Sequence, residues 1–182
     1  HGAPAGNLKA KVESKLVPIN TTFDRLKDYE FDDPARRYSA QPQVLFDGNL
    51  NADGQASFPM KMNQESGNLP GKMRADFRIR AIEKGGDFSE DNFSNTYDPF
   101  TSYAGVSMPR NRYGSKTIDV GKDGNIDLVL VDTEGRPISG RSLSVGLYQV
   151  DWSWWWETNN GNLGKFNSST HFNALDTVRV TT

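Results

Sequence analysis

The chain has 182 residues, with 21 basic against 23 acidic side chains, a formal charge of −2, 35% hydrophobic residues, 17 glycines and no cysteine. Charges of both signs are scattered along it, so there is no basic footprint for nucleic acid or an anionic membrane surface, and no run approaches the ~18 apolar residues of a membrane helix. The missing cysteines remove disulfides, zinc–thiolate sites, cysteine nucleophiles and iron–sulfur clusters, and favour a bacterial or intracellular source over a vertebrate secreted one.

The composition is that of a turn-rich globular protein, too apolar for a disordered one, and the length suits one large domain or two small ones. The first residues lack signal-peptide architecture, so an exported form would be a mature piece or an excised fragment. Residues 8–13 alternate, with Leu8, Ala10 and Val12 against Lys9, Lys11 and Glu13, which predicts a strand with one wet face. Residues 23–31 allow a short helical segment at most. Residues 43–50 and 56–62 flank Asp53-Gly54 and predict a hairpin. From Lys72 to Ala81 the alternation is clearest: Met73, Ala75, Phe77, Ile79 and Ala81 on one face, Arg74, Asp76, Arg78 and Arg80 on the other.

Asp87 to Pro99, rich in Asp, Asn and Ser, reads as a polar loop, and Tyr103 to Met108 as the strand that closes a first unit. Residues 109–114 read as a linker, Asn125 to Asp132 as the opening strand of a second unit, and Thr133 to Pro137 as a turn. Leu143, Val145 and Leu147 then alternate on odd numbers, whereas Tyr148, Val150, Trp152, Trp154 and Trp156 fall on even ones. A bulge between Gly146 and Tyr148, or burial of both faces, reconciles the two phases. Residues 158–169 read as a polar loop and 177–180 as a last short strand. The expectation is an all-β chain of two consecutive antiparallel β-sandwich units, 1–108 and 109–182, of the broad immunoglobulin or fibronectin-III kind.

Catalytic chemistry finds no support. His1 and His171 are the only histidines, neither in a ligand pair at metal spacing, and no nucleophile elbow, phosphate loop or H-E-x-x-H motif occurs. Asp47, Asn49 and Asn51 have the one-three-five spacing of a calcium loop, but Ala52 and Phe58 stand where its glycine and glutamate belong. Asp87, Glu90 and Asp91 read as a solvated acidic cluster. Asn20-Thr21-Thr22, Asn92-Phe93-Ser94 and Asn167-Ser168-Ser169 match the glycosylation pattern, which carries no meaning in a bacterial protein. No catalytic, cofactor-binding or metal-binding residue is assigned, and no cofactor is expected.

All four tryptophans lie within 152–156, the candidate contact residues of the chain. With roughly 150 to 250 Å² buried per ring, such a ribbon either fills a core or seam or forms a platform for a partner. Packing is the expected role, with at least Trp152 and Trp154 largely buried in the second sandwich or its seam, Trp156 on their face, and Trp155, on the opposite face with Asp151 and Ser153, the one ring expected to reach a neighbouring domain. A surface glycan- or protein-binding β-sandwich using these aromatics is the alternative.

Gly140 to Glu157 resembles the strand of bacterial alpha-2-macroglobulins in which a leucine-tyrosine pair runs into a tryptophan-rich stretch. Gly2-Ala3-Pro4-Ala5-Gly6-Asn7-Leu8, Tyr29-Glu30-Phe31-Asp32-Asp33-Pro34, Leu45-Phe46-Asp47-Gly48-Asn49-Leu50, Asp53-Gly54-Gln55-Ala56 and Asp132 to Gly140 are similar, in order, to landmarks of macroglobulin domains. The resemblance implies a non-catalytic structural fragment of a long protein that inhibits endopeptidases by entrapment. Its partners would be neighbouring macroglobulin domains of the parent chain and the proteases the whole protein traps. It implies a periplasmic or cell-surface location, with any lipid anchor elsewhere in the parent and no membrane insertion by this segment. The family's thioester needs a cysteine, so covalent capture maps onto no residue here. The second unit, at about 70 residues, is near the low end for a domain and reads as short of its closing strands.

Overall fold

A computed structural model describes residues 6–36, 38–60, 68–83, 85–118, 121, 123–157 and 165–182, the side chains of 152–157 and 165–171 excepted. Its described elements are eight β-strands, all in antiparallel sheets. The first sheet contains β1 (Lys9–Pro18), β2 (Pro42–Asn49), β3 (Met73–Ile82) and β4 (Phe88–Tyr97) in the order β2-β1-β3-β4.

The period-two pattern decides which way this sheet faces. Ala10, Val12, Ser14 and Leu16 of β1 and Met73, Ala75 and Phe77 of β3 are buried on one side. The intervening Lys, Glu, Arg and Asp side chains occupy the other, as an antiparallel sheet with one wet face requires. Register follows: Val12 is opposite Ile79 on one side and Phe46 on the other, with a bulge in the β1–β2 pairing between Val12 and Glu13. Tyr38 from the segment after β1 and Leu69 from the approach to β3 pack over this face beside Leu45, Tyr97 and Phe100. Met73 is 0% and Leu69 1% exposed, and each such side chain stabilises the fold by roughly 1.5–3 kcal/mol.

β4 is a strand where a polar loop was expected. Both of its faces are exposed up to Tyr97, so it lacks an apolar phase, and what specifies it lies across the ladder on β3. Glu90 pairs with Arg80 at 2.7 Å and Arg78 at 3.5 Å, Ser94 donates to Asp76 at 2.7 Å, and Phe93 stacks on Phe77 with centroids 4.7 Å apart. The expected partner strand at 56–62 is also absent as far as Met60: that stretch makes no ladder, although Phe58 stacks on Phe46 at 5.1 Å. Asn51 builds the turn before it, its side-chain oxygen accepting from the amides of Asp53 and Gln55, with Gly54 at φ 76°.

β5 (Ser102–Ser107) pairs with β6 (Asp127–Asp132), not with the first sheet, so the strand expected to close the first unit instead opens a ribbon with the next one. A second cluster sits on it. Phe23, Phe31, Tyr103 and Val131 are buried together, with Leu26, Tyr29, Val129 and Phe100 packed around them. Residues 19–31 thus cross from β1 to cover β5 and β6. They do so through successive turns, Leu26 bonding back to Phe23 and Tyr29 to Leu26, in place of a helical segment. Residues 109–118 are tied to the same crossing, Arg110 to Asp28 at 3.0 Å and Lys116 to Glu30 at 2.9 Å.

The last element is a hairpin of β7 (Ser142–Glu157) and β8 (Lys165–Thr181). Residues 165–169, expected in a loop, extend β8 beyond the short strand foreseen at 177–180. The ladder shifts register between Leu147 and Tyr148, because Leu147 is opposite Asp176 while Tyr148 is opposite Ala174. The register shift is a bulge whose extra residue, Leu175, lies on β8; β7 runs on without an extra residue, so its odd and even apolar sets stay on opposite faces.

Candidate functional site

Two places gather groups that could serve a partner or a movement: the junction between the first sheet and the β5–β6 ribbon, and the β7–β8 ribbon. At the junction, the residue heading β3 is held at its backbone and reaches out with its side chain. The Lys72 amide donates to Thr21 Oγ1 at 2.7 Å, and its carbonyl accepts from the Ile19 amide at 3.2 Å. Thr21 itself donates its amide to both carboxylate oxygens of Asp32, at 3.0 and 3.2 Å. Gly71 sits so close to this knot that a Cβ there would collide with Asp32 Oδ1 and Thr21 Oγ1.

The Lys72 ammonium then crosses the junction. It donates to the Thr133 carbonyl at 3.1 Å, pairs with Asp98 at 3.3 Å, and lies over the Phe23 and Tyr103 rings at 4.6 and 5.5 Å. Its side chain is 14% exposed, the lowest of any cation in the described ion pairs. The Tyr103 hydroxyl donates to Asp98 at 2.9 Å; burial first, then the Asp98 carboxylate, push that phenol well above the usual tyrosine range. Sequence reasoning began its clearest alternating stretch at Lys72 without giving that side chain a role. Its partners lie at 23, 98, 103 and 133, and no local pattern joins them.

The turn receiving Lys72 is built from its own residues. Asp132 Oδ1 accepts from the amides of Glu134 and Arg136 at 3.0 and 2.9 Å, and Gly135 adopts φ 82°. These amide bonds, the Arg136 amide first and the Arg136 guanidinium after it, hold the Asp132 carboxyl below the usual range. A Cβ on Gly135 would stand 2.7 Å from Phe23 Cδ1, so glycine answers both the left-handed backbone and the close approach of the ring.

On the β7–β8 ribbon the tryptophans take defined backbone places. Trp152 is opposite Thr170, Trp154 opposite Ser168, Trp155 opposite Asn167 and Trp156 opposite Phe166, while His171 is opposite Asp151. The rings of Trp152, Trp154, Trp155 and Trp156, and so the expectations about their burial, lie outside the described residues. Nearer the base, Leu143 and Val145 are paired with Val180 and Val178, and past the bulge Tyr148 and Val150 with Ala174 and Phe172. Alternation puts those two apolar sets on opposite faces of the ribbon. Leu147 is 61% and Val150 51% exposed.

The wet face of the first sheet is an ion-pair lattice: Lys9–Asp47, Lys11–Glu13, Arg74–Asp76 and Arg80–Glu90. The Lys11 ammonium holds the Glu13 carboxyl low, Arg74 and then Ser94 do so for Asp76, and Arg80 and then Asn92 for Glu90. The expected acidic cluster is thus partly neutralised, since Glu90 belongs to this lattice. Among the described residues, no group of three or more His, Cys, Asp or Glu side chains lies where it could hold a metal ion.

The architecture is that of macroglobulin domains. The profile of the bacterial alpha-2-macroglobulin MG5 domain matches residues 1–99, and that of bacterial macroglobulin domain 6 matches residues 105–182. The chain belongs to the bacterial alpha-2-macroglobulin family. No curated protein sequence matches it.

Among solved structures, it is similar to the native conformation of Escherichia coli alpha-2-macroglobulin at a TM-score of 0.66 and 17% identity, over 100% of this chain and 12% of that one. Salmonella alpha-2-macroglobulin reacted with methylamine gives 0.55 and 16%, over 100% and 13%. The Escherichia coli protein activated by porcine elastase gives 0.56 and 18%, over 98% and 17%. At these identities the likeness concerns the fold, and the chain spans less than a fifth of each of those proteins.

Proposed function

We infer that this chain is a non-catalytic structural segment of a longer bacterial alpha-2-macroglobulin that inhibits endopeptidases by entrapment. The observation that carries the reading is the succession of two macroglobulin-domain profiles over nearly the whole chain, 1–99 and then 105–182. The similar Escherichia coli structure activated by porcine elastase is consistent with a parent that meets proteases. In this reading the segment comprises two macroglobulin units, 1–108 and 109–182, with β5 reaching across to β6 at their junction. Its partners are neighbouring macroglobulin domains of the parent, and the parent acts in the periplasm or at the cell surface.

The test compares segment with parent. The 182-residue chain alone, incubated with elastase or trypsin, should leave cleavage of both a large protein substrate and a small chromogenic peptide unchanged. The parent should protect the large substrate. Inhibition by the isolated chain, or a parent that protects nothing, would sink the proposal.

A further inference from the structure

We propose that Lys72 is a latch that fixes the β5–β6 ribbon to the first sheet: it is rooted in that sheet by its backbone and grips the β6 turn with its ammonium group. The three donors of that group are matched by three surfaces, namely the Thr133 carbonyl, the Asp98 carboxylate and the faces of Phe23 and Tyr103. The root is rigid, because the Lys72 amide and carbonyl are both bonded within the 19–21 crossing and Gly71 leaves no room for that crossing to shift. The gripped end is rigid too, because Asp132 closes the turn on itself and Gly135 seats it against Phe23. A single side chain therefore spans two stiff bodies, and the chain between them at 98–101 carries no ladder of its own.

Beside the β5–β6 ladder and the buried Phe23, Phe31, Tyr103 and Val131 cluster, the other charged ties across this region are weaker in kind. Arg110–Asp28 and Lys116–Glu30 involve carboxylates that are 74% and 68% exposed, and water competes for such pairs. Lys72 works in a drier place, where a charged hydrogen bond is stronger and its loss leaves the Thr133 carbonyl and Asp98 without their cation. Withdrawing the charge lets the β6 turn leave Phe23 while the first sheet keeps its own ladder. The β5–β6 ribbon then shifts against the first sheet about 98–101, and Lys72 acts as a positioning residue for the angle between ribbon and sheet.

The test is Lys72→Met in the full 182-residue chain, which keeps most of the apolar stem and removes the charge. The absence of cysteine in the 182-residue chain lets two introduced cysteines, at exposed Gln55 and Glu134, carry spin labels. The latch predicts a broader inter-label distance distribution in Lys72→Met. It also predicts amide exchange about tenfold faster at Gly135, Arg136 and Ile138, with the amides of Val12 and Ile79 unchanged. An unaltered distance distribution would overturn the proposal, as would exchange that accelerates equally in both places, which marks general destabilisation.

Asp98→Asn serves if Lys72→Met does not fold, because it removes the carboxylate charge facing the ammonium while its amide oxygen still offers an acceptor to the Tyr103 hydroxyl. It should speed exchange severalfold at the same three amides, and no change there would equally overturn the latch.

Discussion

The first sheet and the β7–β8 ribbon are written in the same alphabet of alternating apolar residues, yet one has a covered face and the other, in its described part, does not. On β3, Met73, Ala75 and Phe77 alternate with charged residues and are buried; on β7, Leu143, Val145 and Leu147 alternate with Ser and Gly, and Leu147 remains 61% exposed. The difference lies outside either strand. β3 is an inner strand, flanked by β1 and β4, and the 19–41 crossing and Leu69 lie over its apolar face. β7 has only β8 beside it, and a lone two-stranded hairpin is at most marginally stable in water. Periodicity therefore reports which face of a strand is apolar, and the presence of a second layer decides whether that face is used.

The sharpest way to expose this contrast is to truncate the covered side. Met73 is 0% exposed and contacts the first cluster, so Met73→Ala should cost about 2–5 kcal/mol, read as a lower denaturant midpoint at constant slope. A loss under ~1 kcal/mol would mean that the 19–41 crossing does not hold the cluster in place. Gly71→Ala attacks that crossing directly. The new methyl must displace Asp32 or Thr21, and the resulting strain should cost about 1–3 kcal/mol. Pairing it with Asp32→Ala tests the cause, because removing the colliding carboxylate should make the two losses less than additive.

How far this contrast could be read beforehand follows from the same physics. β1 and β3 were legible because a half-buried strand writes its orientation into alternate residues; the phase break at 146–148 marked where the ladder shifts, but the extra residue is Leu175 on the partner strand. β4 was not, since an edge strand with two wet faces carries no apolar period; Glu90, Ser94 and Phe93 gain their meaning only opposite Arg80, Asp76 and Phe77. β8 was hidden for a related reason, because Lys165 to Thr170 is polar but for Phe166 and borrows its strand character from the ladder with β7. The junction was the least legible part. The turn at 133–137 was visible from its glycine and proline, whereas Lys72, Asp98 and Tyr103 meet through the fold alone.

Acid should act on the first sheet through its wet face and on the β6 turn. Glu13, Asp76, Glu90 and Asp132 all have carboxyls held below their ordinary values, by Lys11, Arg74, Arg80 and the Arg136 amide as the first causes. A group whose folded value lies below its unfolded one contributes stability above the unfolded value and loses it as the pH falls through the folded one. The contribution is therefore present at neutral pH and fades below the ordinary 4.5 of glutamate and 3.8 of aspartate. Thermal unfolding followed from pH 7 to pH 3 should show Tm falling across the lower part of that range. Glu90→Gln should flatten the fall, because it removes one proton-linked site; an equally steep fall would place the linkage elsewhere.

The smallest effect is expected on the ribbon, and its smallness is what makes it informative. Leu147 lies opposite Asp176, at the bulge, with 61% of its surface in water, so its methyl groups gain little from folding. Leu147→Ala should change stability by less than ~0.5 kcal/mol, against about 2–5 kcal/mol for the buried Met73. The same holds for Val150→Ala on the opposite face beyond the bulge. If either substitution instead costs ~2 kcal/mol or more, that face is covered in solution. The dependence of Tm on protein concentration then separates the causes. A cost that grows with concentration places a second copy against the ribbon, whereas a concentration-independent cost means that the ribbon folds back onto its own chain. A near-zero cost on both faces leaves the hairpin as an apolar surface displayed on two sides, with the bulge at Leu147 and Tyr148 as the point where the display changes face.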